Sequence, residues 1–144
     1  MPSYITASLM WWRCDVKKSS ETDRACISRM LNHIQTIGSA YEMFGVNSAE
    51  DLKASHICQL AITQLITNIY ELRKRLRDET IEKMPLLESI RLKVPRNIAS
   101  HDYDKLDLDL VYRRTLQLLN TKLHDEMEAI LSDFDSSKQC NNNG

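Results

Sequence analysis

A chain of 144 residues, 42% of them hydrophobic and 27% charged, has the length of one domain and enough apolar content for a buried core. Three glycines and three prolines leave few turn formers, so few strands are expected and the predicted fold class is all-α. With a formal net charge of −1, bulk electrostatics cannot hold the chain on nucleic acid; any RNA contact needs a local basic patch or a short encounter.

Residues 1 to 20 show neither helical nor strand periodicity, and Trp11-Trp12 followed by Lys17-Lys18-Ser19-Ser20 reads as an N-terminal extension whose Trp pair leans on the bundle or on a partner. The stretch from Tyr4 to Trp12 lacks the basic start and long apolar core of a signal peptide. No run approaches the roughly 18 apolar residues of a membrane span. Cys14, Cys26, Cys58 and Cys140 are far apart, with no Cys-x-x-Cys and no His at zinc-ligand spacing, so free thiols in a reducing cytoplasm are expected and no metal.

The helical domain is expected over residues 21 to 135. Ser20, Thr22 or Asp23 can cap a first helix in which Ile27, Met30, Leu31, Ile34, Ile37 and Tyr41 recur at 3-4 spacing, ending near Phe44-Gly45. His33 falls just off this stripe and is expected to be partly exposed and structurally silent. Asn47 or Ser48 can cap the next helix, with Glu50 and Asp51 in its first turn. Its predicted stripe is Ile57, Leu60, Ala61, Leu65, Ile69, Leu72 and Leu76, widened by Ile62 and Ile66. A face that wide suits a central helix, or one packed on both its own bundle and a second subunit.

That helix is predicted to end in Arg73-Lys74-Arg75-Leu76-Arg77. One reading is a solvated helix end, where cations are favoured by the dipole. The other is an RNA-backbone contact through Arg73, Lys74 and Arg77, since Arg73 and Arg77 share a face at i and i+4. A connection follows through Met84, then Pro85 as a first-turn residue of a third helix carrying Leu86, Leu87, Ile90 and Val94. Pro95 either kinks that helix or opens a fresh turn. Asp107 is expected to cap one last long helix, with Leu108, Val111, Tyr112, Thr115, Leu118, Leu119, Leu123, Met127, Ile130 and Phe134 inward and His124 on the surface. Residues 136 to 144 read as a disordered tail.

The densest chemistry lies between the last two helices. Arg96, Asn97, His101 and Tyr103 fall within eight residues: a permanent cation, a polar donor, a group that titrates near neutrality, and a phenol. On a continuous helix Arg96 and His101 would be about 140° apart. They converge only through the long Arg stem, an unwound helix end, or a second copy of the motif. Asp102, Asp104, Asp107 and Asp109 lack the spacing of a calcium loop and read as caps and ion-pair partners.

This segment, RNIASHDYDKLDLDLVY from Arg96 to Tyr112, resembles the HepT-like branch of the HEPN superfamily. That branch has the same Arg, four-residue gap, His, any residue, Tyr, and then an Asp-led acidic and apolar helix opening that ends in an aromatic. Most of the chain, from about Ile27 to Leu131, falls within the resemblance; Tyr70-Glu71 departs from it, with a bulky residue where a small one is usual. The resemblance implies an up-and-down bundle of four to five helices, homodimeric, with two motifs facing each other across a cleft. It also implies a metal-independent endoribonuclease toxin without a cofactor, with Arg96, His101 and Asn97 catalytic on a tRNA or mRNA substrate. Its partner would be a nucleotidyltransferase antitoxin that transfers AMP to Tyr103, in the manner of a type VII toxin-antitoxin pair and possible in larger complexes. The alternative function is a non-catalytic helical subunit that positions substrate for such a nucleotidyltransferase, and a third reading is a purely structural dimer module.

Overall fold

The computed structural model describes residues 18–93 and 107–142, with side chains through residue 137. These residues form seven helices and no strand: α1 (Ser20–Phe44), α2 (Ala49–Ala54), α3 (His56–Lys74), α4 (Asp78–Glu82), α5 (Pro85–Ser89), α6 (Leu108–Leu118) and α7 (Thr121–Asn142). The all-α expectation holds, but both long helices predicted after α1 are broken and the third is only five residues long.

The first helix begins one residue earlier than its predicted caps. Ser19 is extended and its hydroxyl accepts from Thr22 N at 3.2 Å. At the other end Gly45 takes the left-handed conformation, φ 66°, and its N–H and that of Val46 close on Glu42 O and Tyr41 O. Only glycine adopts that backbone without strain, so the helix stops there.

The start of the next segment is set by Ser48, whose Oγ accepts from Asp51 N while Asp51 Oδ2 accepts from Asn47 N, a reciprocal capping pair. After the six residues of α2 the chain breaks at Ser55, which is extended and recaps α3 by accepting from Cys58 N. The break leaves two carbonyls at the end of α2, and Gln59 Nε2 donates to both, Leu52 O and Lys53 O, each at 2.9 Å. This accounts for a buried glutamine on an otherwise apolar face.

The two halves of α3's wide apolar surface have different fates. Ile62, Ile66, Ile69 and Leu72 are buried, whereas Ile57 is 67% exposed and Leu60 38%. The residues predicted to widen the stripe are therefore its centre, and the predicted N-terminal part of the stripe faces outward.

Direction follows from the pairings. Asp23 at the start of α1 meets Arg77 just beyond α3, so α1 and α3 are antiparallel. Tyr41 near the end of α1 meets Thr115 of α6, and Arg24 near its start meets Asp135 of α7 at 2.8 Å, so α6 and α7 also run against α1. Thus α1 is the shared axis. Among the described residues two arms, α3 and α6–α7, run against α1, and the short helices α4 and α5 follow α3.

The last arm breaks at Leu119-Asn120, where Asn120 Oδ1 accepts from Lys122 N and starts α7. The inward set is otherwise as predicted, with Val111, Thr115, Leu118, Leu123, Met127 and Ile130 buried. The helix then continues through Asn142, where a disordered tail was expected from residue 136.

A polar contact lies inside the α1–α6 interface. Thr115 Oγ1 donates to Tyr112 O at 2.7 Å, so the 2.6 Å contact between Tyr41 and Thr115 has the phenol as donor. The Tyr41 and Tyr112 rings pack at 5.8 Å between centroids. Burial pushes the Tyr41 phenol up to about 12, so the folded state holds that proton more tightly than an unfolded tyrosine, near 10. Stability present below pH ~10 is then lost as the pH rises through that interval. Unfolding midpoints measured from about pH 10 upward are expected to fall more steeply for the unaltered protein than for Tyr41→Phe.

Candidate functional site

The residues predicted to carry chemistry, Arg96, Asn97, His101 and Tyr103, lie at 94–106, outside the described residues. What the structure places are the two anchors on either side of that segment.

The approach is held by Arg73. Its Nη1 donates to Leu87 O of α5 at 3.1 Å and to the carbonyl of the C-cap, Ile90 O, at 2.6 Å. Burial pulls the Arg73 guanidinium below the usual arginine range, which is the cost of placing a cation where two carbonyl dipoles need donors. Past Ser89 the backbone becomes extended at Ile90, φ −81° and ψ 124°, and Ile90 and Leu92 are buried.

The departure is held by Asp107, extended at the N-cap of α6 and accepting from Leu110 N at 3.1 Å, as the sequence predicts. Two residues on, Asp109 pairs with Lys53 of α2 at 3.1 Å, and the same ammonium reaches Glu50. The described residues on either side, Ile90 and Asp107, are thus each fixed to the bundle.

The cation row at the end of α3 is not one face. Lys74 is the last helical residue, Arg75 caps it, and Arg77 is already extended at φ −67° and ψ 149°, so the i, i+4 relation of Arg73 and Arg77 is lost. Each of the three has a partner within the chain. Arg73 holds the α5 carbonyls, and Lys74 pairs with Glu71 at 3.3 Å while lying 4.7 Å from the Tyr70 ring centre. Arg77 Nε donates to Asp23 Oδ2 at 2.7 Å and Nη1 to Glu79 at 2.7 Å.

Asp23 is the residue that sequence reading misplaced. Considered as a helix cap, it is instead completely buried and accepts from Arg77 Nε, Arg77 N and Thr80 Oγ1. The signal was present: Asp23 stands four residues before Ile27 and seven before Met30, in register with the apolar stripe, and an acid on that face must be partnered.

Cys26 and Cys58 are free thiols, both buried, and burial raises each above the usual thiol range, so they remain neutral. His33 is half-buried on α1 and pulled down by burial and by Arg29, as a neutral structural ring would be. His124 lies near Glu128 at 3.5 Å, on the outer side of α7. Among the described residues no helix is long and apolar enough to cross a membrane, and no group of three or more His, Cys, Asp or Glu is gathered to hold a metal. Comparison with protein-family models, curated proteins and solved structures gives no match to this chain.

Proposed function

We propose that the chain is an endoribonuclease toxin of the HepT-like kind, cutting RNA with Arg96 and His101 and silenced by AMP transfer to Tyr103. The observation that carries this reading is the spacing Arg96, Asn97, His101, Tyr103 directly before an α-helix opened by Asp107. In that chemistry His101 takes the proton of a ribose 2′-hydroxyl, the 2′-oxygen attacks the adjacent phosphorus, and the 5′-oxygen leaves with a proton. A 2′,3′-cyclic phosphate and a 5′-hydroxyl result. Arg96 presents paired donors to the phosphate oxygens as charge accumulates on them, and Asn97 orients the imidazole or adds a donor.

Tyr103 has no part in proton transfer near neutrality, because a free phenol titrates near 10. A nucleotidyl group on its oxygen would add bulk and negative charge two residues from His101 and repel the substrate. The nucleotidyltransferase partner supplies that AMP from ATP, releasing pyrophosphate. Homodimerisation, which would bring two Arg96–His101 sets together, is supported by the outward apolar face of α3 at Ile57 and Leu60.

The test is incubation of total cellular RNA with purified protein in EDTA, beside Arg96→Ala and His101→Ala. Cleavage by the unaltered protein alone, leaving cyclic phosphate ends, is the expected result. An intact dimer that leaves RNA uncut would overturn the ribonuclease reading in favour of a non-catalytic subunit that positions substrate for the nucleotidyltransferase.

A further inference from the structure

We infer that Arg91 and Lys93 form a track for the phosphate backbone of a single RNA strand, an inference that takes its ligand from the ribonuclease reading. The cations first expected to touch RNA are held elsewhere: Arg73 on carbonyls, Lys74 on Glu71, Arg77 on Asp23 and Glu79. The stem that leads towards the motif carries a different pair.

From Ile90 to Lys93 the side chains alternate: Ile90 buried, Arg91 exposed, Leu92 buried, Lys93 exposed. Ile90 begins this stretch in extended backbone, and a period of two is the pattern of extended chain, which sends residues i and i+2 to the same side. Burial of Ile90 and Leu92, at 4% and 1% exposure, and the grip of Arg73 on Ile90 O fix which side that is. The two cations therefore face solvent together, about 7 Å apart along the chain. That separation lets two charges meet neighbouring phosphates of one strand rather than the same one.

Neither Arg91 nor Lys93 makes an ion pair or hydrogen bond with a described residue. The nearest acid before them in sequence, Glu88, exerts its charge on Arg73. Two like charges held side by side without an acid between them repel, and a polyanion relieves that repulsion. Lys93 and Arg91 stand three and five residues before Arg96 in the sequence, the residue proposed to hold the scissile phosphate.

The experiment measures binding of a labelled oligoadenylate to the full chain in a His101→Ala background, across a salt series. Arg91→Gln and Lys93→Gln are each expected to weaken binding roughly threefold to tenfold at low salt and to lower the slope of log K against log salt by about 0.7. Lys122→Gln, an exposed cation on α7, is the charge-matched control and is expected to leave both unchanged. Affinity and slope equal to the parent in both stem variants, an equal loss in Lys122→Gln, or no binding by the parent at any salt would each overturn the track. Binding that depends on Arg91 and Lys93 in a protein that cuts nothing sustains the track and sinks the ribonuclease reading. Cleavage with binding indifferent to both residues does the reverse.

Discussion

Asp23→Ala is expected to lower stability by about 2–4 kcal/mol, from a backbone N–H and a buried hydroxyl that lose their acceptor at about 1–3 kcal/mol each. The carboxylate has no exposed surface and accepts three hydrogen bonds: from Arg77 Nε at 2.7 Å, Arg77 N at 3.2 Å and Thr80 Oγ1 at 2.5 Å. Alanine leaves the guanidinium with Glu79 as its carboxylate partner, and strands a backbone N–H and a hydroxyl that are both turned inward. It also unfastens α4 from α1, since these bonds are what seat the turn after α3 against the first helix.

Three variants separate charge from shape. Asp23→Asn keeps one acceptor oxygen, which can serve Arg77 N or Thr80 Oγ1 but not both because these bonds go to different carboxylate oxygens, and it loses the charge, so its cost should lie between that of alanine and none. Asp23→Ala combined with Arg77→Met should be less destabilised than the sum of the single changes, because both remove the same Asp23–Arg77 pair. In urea unfolding the expected signature is a lower midpoint at an unchanged slope. A loss under about 1 kcal/mol for Asp23→Ala, the scale of an exposed pair, would show that water reaches the cluster and that α4 is seated by other contacts.

The same cluster explains what sequence could and could not supply. The caps Ser48 and Asp107 were legible because an N-cap is local: a short polar side chain, extended backbone, and an N–H three residues on. The first helix was legible because its apolar positions admit one face. By contrast, apolar residues at 57, 60, 61, 62, 65, 66 and 69 admit two faces on α3, and which one is buried depends on where α1 lies. The breaks at Ser55 and Asn120 were hidden for a related reason. The apolar pattern continues through both, and only the recapping bonds of Ser55, Gln59 and Asn120 make the interruption inexpensive.

The two five-residue helices α4 and α5 carry too few residues to be stable alone. They are held from outside, α4 by Asp23 and α5 by Arg73 and by Glu126, whose Oε1 accepts from Leu86 N. Distant partners of that kind leave no periodicity to read. For the candidate site the division is similar. The spacing from Arg96 to Tyr103 is a local pattern and was read directly. That Arg73 would turn back to the chain seventeen residues later, rather than outward to a ligand, was not.

Arg73→Met is accordingly expected to cost about 1–2 kcal/mol, from the Ile90 carbonyl, which loses its donor at about 1–3 kcal/mol, offset in part by burying an apolar side chain of similar length. Ile90 O depends on Nη1, with no other donor among the described residues directed at it, whereas Leu87 O also accepts from Ile90 N at 3.3 Å. Arg73→Lys should recover part of the loss, since an ammonium can donate to both carbonyls but its shorter stem cannot place the donors at the same depth. The consequence for function follows from position. Ile90 opens the stem on which Arg91 and Lys93 stand, so releasing its carbonyl frees the extended segment to rotate out of register with the buried Leu92. For a protein that cleaves RNA, Arg73→Met should therefore lose activity at temperatures where it remains folded by circular dichroism, with Arg73→Lys intermediate. Chemical denaturation and an RNA-cleavage time course on the same preparations read the two effects. Full activity in a folded but destabilised Arg73→Met would show that the stem keeps its course without this tether, and that Arg73 serves the bundle alone.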